Sequence, residues 1–168
     1  GKTQAFIKSK YDFDSKNFVF LKKIMQLSSN EKTKITDNNN QLYNLSKFVF
    51  SIDKEELKAE KILIITNYNL PKSDKYFFSN GIFNLKEKNY IANNTKIELH
   101  KDIFDDLEHD PRLLGISSSH KNDITTINKG IFTSCKKNDT CPPWSIKAEK
   151  IVHNKTNKQL IYDNAFLR

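Results

Sequence analysis

The chain has 168 residues, enough for one domain with a sizeable core, and its 28 Lys and Arg against 20 Asp and Glu leave a net charge of +8. No apolar run approaches the roughly 20 residues of a membrane-crossing helix, and the only arginines are Arg112 and Arg168, too few for a protein that reads bases. The charge favours an anionic partner, while recurrent Phe, Ile, Leu and Tyr exclude a disordered composition.

Short extended segments alternate with polar turns along the whole chain. Phe18-Val19-Phe20-Leu21 comes first, and Lys22 to Leu27 alternates apolar and polar residues as a half-buried strand does. Lys34-Ile35-Thr36 runs into the turn Asp37-Asn38-Asn39-Asn40. Leu42-Tyr43 and Phe48-Val49-Phe50 follow, then the turn Asp53 to Glu56 and the strongest strand, Leu57 to Ile65. Tyr76-Phe77-Phe78 and Gly81 to Leu85 precede the turn Lys86 to Asn89, and Tyr90-Ile91-Ala92 and Lys96 to His100 follow it. Aromatic and β-branched residues suit a pleated surface. Helix is the rival at Ser51 to Lys61 and at Lys101 to His109.

The C-terminal third reads strand, cysteine loop, strand, turn, strand. Asp110 to Gly115, Ile124 to Ile127 and Gly130 to Phe132 lead to a loop that holds Cys135, Cys141 and Trp144. Trp144 to Ile151 and Leu160 to Ala165 close the chain, which stops at Arg168 as if cut from something longer. Lys58-Ala59-Glu60-Lys61-Ile62 recurs as Lys147-Ala148-Glu149-Lys150-Ile151, with a looser copy around Ala92-Asn93-Asn94. The copies have no fixed period, which argues for stacked hairpins in a curved antiparallel sheet or jelly roll rather than a propeller.

No catalytic constellation is visible. The histidines lack ligand spacing, the cysteines stand too far apart for a zinc knuckle, and Asp102, Asp105, Asp106, Glu108 and Asp110 lack the pattern and glycine of a calcium loop. The acidic run reads as a solvated loop closing at Asp110-Pro111. Cys135 and Cys141 would be free in a reducing compartment. In an oxidising one they could bridge each other or another partner. A mutual bridge would contribute roughly 2–2.5 kcal/mol in the chain-entropy model.

The series Asp110-Pro111-Arg112-Leu113, Thr125 to Gly130, Phe132-Thr133-Ser134-Cys135 and Cys141-Pro142-Pro143-Trp144 resembles the lipopolysaccharide-assembly family LptD, also called the organic solvent tolerance (OstA-like) family. Ala148, Ile151, His153 and Tyr162-Asp163-Asn164-Ala165 continue the likeness, which is specific from about Gly81 onward. From Gly1 to Asn80 only the hairpin rhythm is shared. The resemblance implies an all-β periplasmic domain over residues 1–168, an open twisted antiparallel β-jellyroll (β-taco-like) with a hydrophobic interior, whose outer-membrane barrel lies outside this chain. It implies a non-enzymatic role without cofactors, at the periplasmic face of the outer membrane of a Gram-negative bacterium. Lipopolysaccharide (lipid A) would arrive from a periplasmic bridge protein of the LptA type, docked by edge-strand addition, and pass to the barrel and its lipoprotein plug. By position Cys135 matches the family cysteine of the Thr-Ser-Cys segment and Cys141 is an extra one. The family's cysteine near the mature N-terminus has no counterpart here. With the barrel absent, a Cys135–Cys141 disulfide is the expectation.

Acyl chains would dominate affinity, because a 14-carbon chain buries about 10 kcal/mol at roughly 0.8 kcal/mol per methylene, against about 1 kcal/mol per lysine at an anionic surface. The expected groove is therefore apolar: Ile62, Ile64, Phe83, Ile97, Leu99, Ile146 and Phe166. The competing expectation is that they fill a closed core, with Trp144 an anchor beside the cysteine loop. Strands near Phe6-Ile7 and Phe18 to Phe20 would face the bridge protein, and Phe166-Leu167 the barrel. A soluble bridge component of the same system, which would lack Cys-Pro-Pro-Trp, and a basic nucleic-acid-binding β-domain are the alternatives; the first reading has no nucleic-acid partner.

Overall fold

The computed structural model describes residues 2–104, 108–137 and 144–168, with the side chains at 102 and 104 left out. Its strands are β1 (Thr3–Ile7), β2 (Tyr11–Ser15), β3 (Val19–Leu21), β4 (Gln26–Ser29), β5 (Thr33–Asp37), β6 (Leu42–Leu45), β7 (Lys47–Ser51), β8 (Glu56–Ile65), β9 (Lys75–Asn84), β10 (Asn89–Glu98), β11 (Arg112–Lys121), β12 (Ile124–Thr133), β13 (Ile146–Asn154) and β14 (Gln159–Leu167). All belong to one antiparallel sheet of 14 strands that does not close on itself, and no α-helix occurs among the described residues. The fold is thus all-β and open, consistent with a jellyroll or taco.

The long strands are bent, and the repeat noticed in the sequence marks where. In β8 the buried positions run Leu57, Ala59, then Ile62, Ile64, so two exposed residues in succession, Glu60 and Lys61, shift the phase. The same slip follows Ala92 in β10 at Asn93-Asn94, Ile127 in β12 at Asn128-Lys129 and Ala148 in β13 at Glu149-Lys150. An extra residue in one strand bends it and lets the interior face change sides. Lys61, Asn94, Lys129 and Asn164 take positive φ at these points, between 47° and 50°. Amide ladders run along the outside of the bend: Asn93 Nδ2 donates to Asn80 Oδ1 at 2.9 Å, Asn94 Nδ2 to Ser79 Oγ at 3.1 Å and Asn128 Nδ2 to Ser117 Oγ at 3.0 Å.

Small residues line the inside of the bend because large ones do not fit. A Cβ on Gly130 would lie 2.6 Å from Ile151 side-chain atoms, and one on Gly115 would collide with Ile127 Cγ2 while standing 3.0 Å from the Asn128 carbonyl oxygen. Gly115→Ala is therefore expected to cost about 1–3 kcal/mol by overpacking against the fully buried Ile127 side chain and the Asn128 carbonyl behind it. Urea unfolding at constant slope checks it.

The bend folds the sheet into two facing leaves. At β8 the sheet forks: β6 pairs residues Leu63 to Ile65, and β7 pairs Glu56 to Glu60. Leaf one holds β1, β2, β5, β6 and the half-strands from Ile62 onward in β8. Leaf two holds β3, β4, β7 and the opposite half-strands. Aromatic rings meet between them, as Phe13 does with Phe48 and Phe50 at 5.4 and 5.3 Å, and Phe132 with Tyr162 at 6.4 Å. β1 and β3 form one edge of the sheet and β14 the other.

One local expectation changes, the strand reading preferred for Ser51 to Lys61 holds against its helical rival, and the window from Lys101 is described only in part. Lys22 to Leu27 is not one strand. Lys22–Ile24 make a 3₁₀ turn, Met25 takes a left-handed conformation with its N–H on the Lys22 carbonyl at 3.2 Å, and pairing resumes at Gln26. The segment is the reversal between β3 and β4, so its alternation faces solvent at Ile24. Ser51 to Lys61 is turn and strand, not helix. The window from Lys101 begins as a 3₁₀ turn, Lys101–Phe104, and residues 105–107 lie outside the description.

Candidate functional site

Register places a continuous interior row across leaf one. Directly paired neighbours run Ala5, Phe13, Ile35, Tyr43, Ile64, Tyr76, Ile97, Leu113, Phe132, Ile146 and Leu167, one from every strand that leaf one contains. Of the expected groove residues, Ile64, Ile97 and Ile146 belong to this row. Ile62, Phe83 and Leu99 face the same interior, and all but the half-buried Ile146 are buried. Phe166 does not join them. It pairs with the exposed Lys147, is 74% exposed and lies on the outer face; Ala165 and Leu167 carry the interior face of β14. The alternation had to be counted past the bend at Asn164 to see this.

Leaf two faces this row with a composite surface. Its paired row runs Phe20, Leu27, Phe50, Leu57, Phe83 and Tyr90, then turns polar with His120, Thr125 and His153 before Leu160. His120 stacks on Tyr90 at 5.6 Å, and its Nδ1 lies 2.9 Å from the Thr125 hydroxyl. These residues had no sequence signal beyond isolated histidines, because only the pairing of hairpins aligns them.

Opposite the bend, hairpin turns from the two leaves meet as a pair of lips. Two clasps join the lips among the described residues. Glu55, from the β7–β8 turn of leaf two, accepts from Tyr11 Oη at 2.6 Å and Lys8 Nζ at 3.1 Å in leaf one, with Lys10 Nζ at 3.6 Å. Asp74, from leaf one, accepts from Lys155 Nζ of leaf two at 3.1 Å and is held by the His100 N–H at 2.9 Å and His100 Nδ1 at 2.7 Å. Both carboxylates are buried although each lysine stays partly in solvent. Between the clasps lies a cavity of about 260 Å³, walled by Tyr43, Ile64 and Tyr76 on one side and Phe83, Tyr90 and His120 on the other. Asn39, Lys88, Asp123 and Lys155 stand at its rim.

Electrostatics favour the closed lips near neutral pH. The Tyr11 hydrogen bond above all, then Lys8 and Lys10, holds Glu55 below its ordinary value against the opposing effect of burial. Burial alone would raise Asp74, but the Lys155 charge and the His100 hydrogen bonds together outweigh it and lower it. Burial also holds His153 and His120 below the ordinary histidine value of 6.5, with Asp74 opposing at His153 and Asp123 at His120. Every one of these folded values is depressed, so each contribution is present at higher pH and lost on acidification. Stability is expected to fall in two stages, the first as the pH drops below about 6.5 and the second below about 4. Urea midpoints across that range check this, and a midpoint rising between pH 7 and 5.5 would refute it.

The cysteine segment is pinned from both sides. The Arg112 guanidinium donates to the Cys135 and Asp110 carbonyls, Lys137 N–H to Asp110 Oδ2 at 2.9 Å, and Lys137 Nζ to Glu98 Oε2 at 2.7 Å. Cys135 is a buried free thiol 3.7 Å from the Trp144 carbonyl, and Trp144 packs on Phe132 at 5.9 Å beside the core. Cys141, and with it the expected pairing, lies outside the described residues, as do Asp105 and Asp106 of the acidic run. Among the described residues no group of three or more His, Cys, Asp or Glu is placed to hold a metal ion.

No protein-family model matches the chain, and no curated protein matches it significantly.

Proposed function

We propose that the domain is a non-enzymatic carrier of lipopolysaccharide, taking it from a periplasmic bridge protein at one edge and passing it to an outer-membrane barrel at the other. The observation that carries this reading is the interior row of leaf one, apolar from strand to strand and reaching both unpaired edges. A sheet built only to fold seals its ends; here Leu167, the row's end at the β14 edge, is 76% exposed, and Ala5, its end at β1, is half-buried. Unpaired edges are templates for strand addition, and apolar residues gather on them: Val19, Phe20 and Leu21 of β3 on one side, Ile161 and Phe166 of β14 on the other. The groove comprises Ile62, Ile64, Phe83, Ile97, Leu99 and Ile146, with Leu167 in place of Phe166. A disulfide of Cys135 with Cys141 or with the barrel belongs to this reading, and because the Cys135 thiol is buried against the Trp144 carbonyl, either pairing needs the loop to open.

The test is an amide-NMR titration of the chain with lipid A under non-reducing conditions. Shifts at alternate residues of β8, β10 and β13 are expected. Shifts with a single-stranded oligonucleotide and none with lipid A would replace this reading by a basic nucleic-acid-binding domain.

A further inference from the structure

We infer that the lips are a gate, with the Asp74–Lys155 clasp as its latch, and that a hydrocarbon chain enters sideways through the cavity between the clasps. This rests on the carrier reading and adds how the interior is reached. From β8 to β14 the bend is a hydrogen-bonded ridge, so in that section the leaves can part only along the lips. Among the described residues the polar contacts there centre on two buried carboxylates, Glu55 facing Tyr11, Lys8 and Lys10, and Asp74 facing Lys155. Such a contact is bistable. Closed, Lys155 and His100 satisfy Asp74. Open, water solvates both charges at once, so parting the lips strands neither.

The two clasps differ in a way that selects the latch. Glu55 has three donors from leaf one, including a phenol that stays neutral, and sits where Phe13, Phe48 and Phe50 interlock the leaves. Lys155 is a single donor on a β-turn, 44% exposed, and its stretch of leaf two is polar inside at His120, Thr125 and His153. Less apolar surface opposes opening there. The aromatic and aliphatic walls beside it, Tyr43, Ile64, Tyr76 and Phe83, would receive the chain's methylenes, and the amide and lysine rim would meet a polar head left outside.

The probe is cis-parinaric acid, a linear 18-carbon fatty acid that fluoresces on burial, mixed with the protein in a stopped-flow device. K155Q is expected to speed uptake by about fivefold to thirtyfold, the change in open population that one or two kcal/mol produces, with the final amplitude retained. K155R, which keeps the ion pair, should restore slow uptake, and K58Q on the outer face should change nothing. Equal rates in K155Q and wild type, with binding intact, overturn the gate and leave the carrier reading standing. No uptake by any variant overturns both. Because K155Q could loosen the whole fold, amine acetylation in the wild type supplies a second readout. Uptake of the probe should raise the acetylation rate of the Lys155 amine, which the closed clasp holds on Asp74, relative to that of Lys58 on the outer face. An unchanged ratio also overturns the gate.

Discussion

Phe50→Ala is expected to lower the unfolding free energy by about 3–5 kcal/mol, the range for a fully buried phenylalanine whose cavity cannot collapse. Phe50 is 0% exposed, and its ring meets Tyr11 at 5.8 Å and Phe13 at 5.3 Å across the leaves. Its position makes the loss larger than area alone suggests. Beyond β8 no strand spans both leaves, because β7 and β4 continue only leaf two, and β6, β5 and β2 only leaf one. In that section, among the described residues, the leaves are joined by short connections, the Glu55 clasp, a buried Ser15–Ser29 hydroxyl hydrogen bond at 3.2 Å and this aromatic contact. Bulky rings facing one another cannot relax inward without breaking the pairing of β7 with β8, so the cavity stays open. Urea denaturation at unchanged slope is the measurement. A loss under about 1 kcal/mol would mean that the polar contacts, the Glu55 clasp and the Ser15–Ser29 hydrogen bond, hold the leaves together there.

What the sequence disclosed follows from the range of the interactions concerned. Turns such as Asp37 to Asn40 and Lys86 to Asn89, and strands such as Leu57 to Ile65, are set by neighbours a few residues apart, and they stand where the pattern puts them. The Ala-polar-polar repeat was visible too, but its meaning was not. A phase slip reads as two short strands, which is how Tyr76 to Phe78 and Gly81 to Leu85 look, although all of these but Leu85 belong to the single bent β9. Phe166 was misplaced for the same reason, since counting alternation through Asn164 without its bend lands on the wrong face. The clasps were out of reach altogether. Lys155 and Asp74 are 81 residues apart, and Tyr11 and Glu55 are 44 apart. Nothing in a local pattern pairs a lysine in one turn with an aspartate in another when the chain has dozens of charged residues to choose from. Six of the seven expected groove residues nevertheless face the interior, because apolar alternation is sufficient to choose a face even when the partner leaf is unknown.

Ile97→Ala is expected to cost about 2–5 kcal/mol, and part of that loss should be recoverable by adding a single-chain amphiphile. Ile97 is 0% exposed at the middle of the leaf-one row, between Tyr76 and Leu113, so truncation removes apolar contact on both sides. A sealed core and a hydrocarbon conduit predict the same loss without ligand, which is why stability by itself does not separate them. They differ once lipid is present. A ligand that binds only the folded state adds RT ln(1 + [L]/Kd), about 2.7 kcal/mol at a hundredfold excess over Kd. A conduit with extra room at Ile97 should accept an alkyl chain at least as well as the wild type, so the variant's thermal midpoint should rise with lauric acid by as much or more. A sealed core offers the chain no path to the new space, and the midpoint should then stay where the substitution left it. The same experiment on Phe50→Ala is the control. That cavity lies in the section closed by Glu55 and interlocked rings, so its midpoint should respond less than that of Ile97→Ala if chains enter between the clasps. An equal response from both would mean that the amphiphile reaches the interior from the open edges at β1 and β14 rather than through the lips.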